Sequence, residues 1–313
     1  MSRAYAAALA ALAEADPDLV VMTAENRAHL AGIPERLGPR FIDVGIAEQT
    51  LVGAAAGLAL RGRKPVVHAL AAFLTMRAFE FIRTDVGLAG LPVTLVGYVP
   101  GFLSEANGPT HQAVEDVALM RAIPGMQIVC PADEAELVQA LAAVVASRTP
   151  SYIRFCAAPP VVTGHARFEL GRAETLRAGD GVTLLSYGLL VGVALAAAER
   201  LEARAVPARV VNLRCLAPID AGAVLAAARE TSLLVTLEDH RPTGGLHSIV
   251  AELLVAHGVS RRTLALGIGD RGFRPALLDD ALACESFTPN RIAGRVIEAL
   301  LAPALGKEAC RTH

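Results

Sequence analysis

The stretch FIDVGIAEQTLVGAAAGLALRG, residues 41–62, begins as an extended segment and ends as a helix. Residues 41–46 are mostly apolar, and residues 51–60 are almost wholly Ala, Gly, Val and Leu. A strand that runs straight into a helix is the building unit of α/β folds. Glu48 stands at the junction, where burial is expected. An unpaired buried carboxylate is costly, so such a group is paired, protonated or put to chemical use. The ordinary alternative is a helix-start glutamate favoured by the helix dipole.

The same strand-then-helix rhythm continues outward from this stretch. DLVVMTA, KPVVHAL, PVTLVGYV, MQIVCPA and SYIRFC read as strands, and residues 47–60, 74–89, 113–122 and 133–147 as helices. The rhythm breaks at CAAPPVVTGHARFELGRAETLRAGDG, which carries adjacent prolines and no clear period. It resumes with GVTLLSYG, PARVVNLR, TSLLVTLEDH and RTLALGIG, separated by helices near 189–204, 220–229, 245–257 and 289–302. The pattern predicts two doubly wound α/β domains with parallel sheets. We place the first at 1–160, a linker at 161–180 and the second at 181–313.

Composition narrows the function. The net charge is −2, so bulk electrostatics give no pull toward nucleic acid or anionic lipid. No apolar run approaches the roughly 18 residues of a membrane span. The N-terminal residues fit an amphipathic helix better than a signal peptide. The five cysteines are scattered, with no C-x-x-C pair, so neither a disulfide framework nor a zinc site is indicated. A reduced, cytoplasmic protein is the expectation. Aromatic content is only 4%, so any group of Phe residues stands out.

One such group is AAFLTMRAFEFIRTDV (71–86). Phe73, Met76 and Phe79 fall at i, i+3 and i+6 and could share a side as a platform for a flat ring, although core packing is the usual fate of such a stripe. A polar segment, SEANGPTHQAVED (104–116), follows a strand and opens a helix. It places Thr110, His111 and Gln112 near a carboxyl strand end, the edge where open α/β sheets bind ligands. In LEDHRPTGGLHS (237–248), Gly244 and Gly245 fit a tight turn, while Glu238, Asp239 and His240 suit a local polar network better than catalysis. His68 ends the KPVVH strand close to the expected pocket.

Together, DVGIAEQ, FLTMRAFEFIRTDV, GPTHQAVEDVALMRAIPGMQIVCPAD and SYIRF resemble the pyrimidine-binding (Pyr) domain of the transketolase family, and VVNLRCLAPID and TLEDHRPTGGL resemble its C-terminal domain. The likeness spans nearly the whole chain but only about the C-terminal half of a full-length member. It implies thiamine diphosphate as cofactor. The glutamate at the position of Glu48 hydrogen-bonds N1' of the aminopyrimidine and so promotes removal of the thiazolium C2 proton. By the same resemblance Phe73 and Phe79 stack on the pyrimidine, Met76 replaces another ring, His111 faces substrate and Arg154 meets a substrate phosphate. His68 is a further substrate candidate.

The family's diphosphate- and magnesium-binding half is missing. GDG at 179–181, with Asn212 downstream, mimics its signature, but this GDG precedes a strand instead of following one, so Asp180 reads as a turn residue. The resemblance therefore implies a β-type subunit of a split enzyme, with no metal ligand of its own. A partner subunit of the N-terminal type would bind Mg2+ (or Ca2+) and the diphosphate, in an α2β2 heterotetramer. The expected activity is transfer of a two-carbon ketol unit from a ketose to an aldehyde. Two polar contacts depart from the family: Asn107 replaces an aspartate, and Val99 replaces a histidine. A site without hydroxyl partners discriminates poorly for a polyol. This keeps open a non-standard ketose, or a 2-oxo acid as donor in a decarboxylating or acyl-transferring relative. The non-enzymatic alternative is a cofactor-free assembly or regulatory paralogue.

Overall fold

The computed structural model describes residues 2–269 and 275–302. Helix Arg3–Ala15 opens the chain, with the Ser2 side chain accepting from the Tyr5 N–H as its N-cap. The strands are β1 (Leu19–Thr23), β2 (Phe41–Asp43), β3 (Lys64–Leu70), β4 (Thr94–Tyr98), β5 (Gln127–Val129), β6 (Ser151–Arg154), β7 (Glu174–Arg177), β8 (Val182–Ser186), β9 (Ala208–Asn212), β10 (Cys215–Ala217), β11 (Leu233–Leu237) and β12 (Thr263–Leu266). They form a seven-stranded sheet in the order β10-β5-β6-β4-β3-β1-β2 and a five-stranded sheet in the order β12-β11-β8-β9-β7. All pairings are parallel except those of β10 with β5 and of β7 with β9. Strands β1, β4, β8 and β11 are buried at every position, as unbroken apolar runs covered on both faces must be.

The helices lie where the sequence places them, with two local differences. The 113–122 segment is helical only over Asp116–Arg121. Residues 73–87 are not a regular α-helix: Phe73–Arg77 and Ile82–Gly87 are π-turns flanking a short α-helical piece, Phe79–Phe81. The Ala78 N–H donates to the Phe73 carbonyl, five residues back, at 3.3 Å. Such wide turns concentrate at functional sites.

The boundary between the domains is interlaced. The 161–180 stretch contains β7, the antiparallel edge strand of the second sheet. Strand β10, inside the range assigned to the second domain, crosses back to extend the first sheet. Neither strand is marked by a long apolar run, so pattern alone missed both. The 179–181 GDG is a strand-entry turn, as its position suggests. A Cβ on Gly179 would lie 2.5 Å from the Ala208 carbonyl carbon, and one on Gly181 would lie 2.7 Å from the Pro207 oxygen. Those glycines serve close backbone approach. Asn212 is buried, with its amide donating to both oxygens of Glu136 at 3.1 and 3.0 Å. Cys310 lies outside the described residues.

Candidate active site

Three segments leave the carboxyl ends of β2, β3 and β4 and meet at one edge of the first sheet. The first starts helix Glu48–Leu60 and brings Glu48, which is only 1% exposed. The second is the π-turn Phe73–Arg77. The third is the 99–113 loop with Thr110 and His111. The i-to-i+5 bonding of the π-turn sets Arg77 above Phe73, with the guanidinium carbon 4.4 Å from the ring centroid. Arg77 Nη1 donates to Glu48 Oε2 at 2.8 Å. His111 meets Phe73 edge-on with centroids 5.0 Å apart, and its Nδ1 lies 2.9 Å from Thr110 Oγ1. The result is a contact sequence of buried carboxylate, guanidinium, aromatic ring and imidazole. The planar guanidinium, over a ring and bonded to a carboxylate, shows that a flat nitrogenous group can be held between these two partners.

The π-turn also alters the expected platform. Phe73 is half-buried at the site, Phe79 packs on the main hydrophobic core, and Met76 is 41% exposed. Positions three apart share a face on an α-helix, but a wider turn rotates them apart. Asn107 is exposed, with its amide 3.4 Å from Ser104 Oγ.

Two substrate assignments are corrected by the geometry. Arg154 is 2% exposed, and its guanidinium is consumed by two buried ion pairs, Nε to Asp116 Oδ2 at 2.8 Å and Nη1 to Asp239 Oδ1 at 2.6 Å. Its third bond goes to the Ala113 carbonyl at 3.3 Å. So deeply buried, the guanidinium presents no exposed face to a substrate phosphate, and the side chain instead ties the two domains together. His68 is fully buried beside Tyr5 and Tyr98. Its Nδ1 faces the Met22 carbonyl at 3.1 Å, so that nitrogen carries the proton, and Nε2 accepts from the Tyr5 hydroxyl at 2.8 Å. Burial lowers its pKa to about 4 and keeps it neutral. It is a core histidine.

The 237–248 segment is the joint between the domains. Glu238 accepts from the Leu246 and His247 N–H groups at 2.6 and 2.9 Å, capping helix Leu246–Ala256. His240 Nε2 accepts from the Ala118 N–H at 3.3 Å. A second buried network lies nearby: His165 bridges Asp133 and Glu174 at 2.9 and 2.7 Å. Glu136, His165 and Glu174 have metal-ligand spacing, but Arg214 already supplies the cation. Its Nη2 lies 2.5 Å from Glu174, and its Nε pairs with Glu136 at 2.6 Å without hydrogen-bond alignment.

This joint makes stability depend on pH. Burial raises the Glu238 pKa from 4.5 to about 8. Its contribution is complete below 4.5 and is lost as pH rises through 8. His165 is also raised, against its own burial, by its bonds to Glu174 and Asp133, so its contribution too is lost on the alkaline side. The partner carboxylates Asp133 and Glu174 are lowered by hydrogen bonds that outweigh their burial, and they act only at the acid end. The melting temperature should therefore fall as pH rises from about 4.5 to about 8, and Glu238→Gln should flatten that slope. A flat profile in the unsubstituted protein would contradict these charge states.

Residues 1–157 match the transketolase pyrimidine-binding domain, and residues 171–292 match the transketolase C-terminal domain. The chain belongs to the transketolase family. It is 40% identical over 241 residues to a 6-deoxy-6-sulfo-D-fructose transketolase subunit of Clostridium sp. (strain MSTE9), covering 76% of this chain and 73% of the relative. It is 35% identical over 305 residues to 1-deoxy-D-xylulose-5-phosphate synthase of Gloeothece citriformis, covering 95% of this chain but only 48% of that enzyme. Among solved structures it matches a split gene transketolase, described as an inactive β4 tetramer, with TM-score 0.84, 35% identity and coverage of 95% and 96%. The Pichia stipitis transketolase, at 19% identity and TM-score 0.75, shares the fold over 95% of this chain and 45% of its own. The chain is thus a transketolase-type subunit, and it spans about half the length of the synthase relatives. These family members use thiamine diphosphate. No described helix is long and apolar enough to cross a membrane.

Proposed function

We propose that this chain is the pyrimidine-side subunit of a split transketolase that moves a two-carbon ketol unit from a ketose donor to an aldehyde acceptor. The observation that carries this reading is the buried Glu48 carboxylate linked through Arg77 to the Phe73–His111 pair. Thiamine diphosphate, when bound, supplies the electron sink for breaking the bond beside the donor carbonyl. Glu48 would hold the pyrimidine at N1' and share a proton with it, Phe73 would stack on that ring, and His111 would meet donor oxygens. A partner of the N-terminal type would bring the diphosphate and Mg2+ sites, in an α2β2 assembly. Exposed apolar side chains suit such docking: Ile46 just before the Glu48 helix, Leu60 at the far end of that helix, and Phe81 and Leu88 in and just after the 79–87 segment. The solved relative is described as an inactive β4 tetramer, and we expect this chain alone to be inactive as well.

The test is reconstitution with the neighbouring N-terminal-type chain and a donor panel of xylulose 5-phosphate, fructose 6-phosphate, 6-deoxy-6-sulfofructose and pyruvate. Ketol transfer from a ketose supports the reading. Carbon dioxide release from pyruvate alone replaces it with the 2-oxo acid reading, which the occupied Arg154 and the apolar Val99 favour.

In this reading Arg77 must release Glu48 before the ring can enter. Arg77→Met should lower the stability of the free subunit by about 1 kcal/mol, the net value of a partly exposed charged hydrogen bond. It should also tighten thiamine diphosphate binding by the complex several-fold, because the competitor is gone. Weaker cofactor binding in calorimetry would instead make Arg77 a cofactor ligand.

A further inference from the structure

The loop that carries His111 is held from the other domain. Its base is closed in the first domain, where the Gly101 N–H donates to the Ala113 carbonyl at 2.8 Å. Beyond the turns within the loop and the His111–Phe73 contact, it packs on the second domain. Phe102 is 1% exposed and belongs to the second-domain core with Leu184, Leu190, Leu237 and Phe287, whose ring centroid is 6.0 Å away. Gly101, at φ 58°, is pressed so closely on Asp239 that a Cβ would fall 1.9 Å from its carboxylate oxygen. Gly108, at φ 75°, leaves only 2.9 Å between such a Cβ and Pro275. Helix Leu278–Cys284 packs on the 3-10 turn Phe102–Asn107.

Two non-glycine residues in this loop also have left-handed backbones, Val99 at φ 48° and Glu105 at φ 46°. A β-branched residue there is a true outlier, and such conformations persist only when the surroundings over-determine them. The first domain provides the closed base, and the second provides the ring socket.

We propose that Phe102 is a positioning residue: by burying its ring in the second-domain core, it holds Thr110 and His111 against Phe73. The C-terminal domain thereby shapes the donor end of the site without lending it a reacting group. The inference rests on His111 facing substrate, and the experiment separates the two.

Three variants of the full chain are compared: Phe102→Ala, Phe102→Leu, and Leu201→Ala as a control. Leu201 is fully buried in the same core, on helix Leu190–Glu202, away from the loop. Hydrogen exchange is read at the Gly101, Gly108, His111 and Gln112 amides, which donate to Ala113, Glu105, Gly108 and Gly108. At matched global stability, Phe102→Ala should speed their exchange by about tenfold or more, Leu201→Ala should not, and Phe102→Leu should recover most of the protection. In the reconstituted complex with the same donor panel, Phe102→Ala should raise KM for the ketose about tenfold, through misplacement of His111, with thiamine diphosphate affinity unchanged. Exchange no faster than in Leu201→Ala overturns the proposal. Faster exchange with unaltered donor kinetics leaves the anchor standing and removes His111 from the substrate site.

Discussion

Glu48→Gln should lower turnover of the reconstituted complex by about 10²–10⁴-fold, the usual worth of a positioned proton-transfer group. Glutamine keeps the length and one acceptor oxygen, so Arg77 Nη1 can still be bonded where it now meets Oε2 at 2.8 Å. What is lost is the ability to take and return a proton. The free subunit should therefore melt close to the unsubstituted chain while the complex fails. Thiamine diphosphate affinity, measured separately, distinguishes a lost proton step from a lost ligand. Turnover within about threefold of the original would remove Glu48 from the chemistry and revive the assembly-only alternative.

The second large effect concerns stability. Arg154→Met should destabilise the chain by about 3–5 kcal/mol, because removing one member of a buried ion network strands the others. Asp116 is completely buried and Asp239 is 1% exposed, so both carboxylates would lose their cation out of reach of water. The Tyr152 hydroxyl would remain on Asp116 Oδ2 at 2.7 Å, but Asp239 Oδ1 would lose its Arg154 bond. For a chain of this size the melting temperature should drop by roughly 10 °C. The two domains should also lose cooperativity, since Asp116 and Asp239 lie on opposite sides of the joint. Arg154→Met with Asp239→Asn should regain part of the loss by removing one stranded charge. A phosphate-binding arginine would behave differently. Its loss would raise KM for phosphorylated donors and leave the melting temperature near its original value.

Much of the fold is legible in the sequence because its elements are locally encoded. Short, mostly apolar runs with β-branched residues mark β1, β3, β4, β8 and β11, and Ala/Leu-rich stretches mark the helices between them. The short strands β7 and β10 carry no such signal. Their place is set by edge pairing with β9 and β5, a property of the partner strand as much as of their own residues. The Phe73–Met76–Phe79 stripe shows the same limit. Its spacing assumes an α-helix, and the π-turn brings Arg77 over Phe73 instead. Arg77 stood unremarked in the FLTMRAF motif; its place four residues after Phe73 and in the same motif was the signal that could have singled it out.

The site divides along a similar line. Glu48 at the start of its helix and the Thr110-His111 loop after β4 are local statements: a carboxylate where a strand becomes a helix, a polar turn at a carboxyl strand end. Sequence alone was enough to mark them as candidates. Arg154 and His68 were marked on equal terms, and only packing shows that neither has a free face. The partners of Arg154 are 38 and 85 residues away, and those of His68 are 46 and 63 away. Which charge is paired, which ring is buried and which loop is anchored by Phe102 are settled when the two sheets close on one another. Those contacts join residues remote in the chain, and no local pattern of residues encodes them.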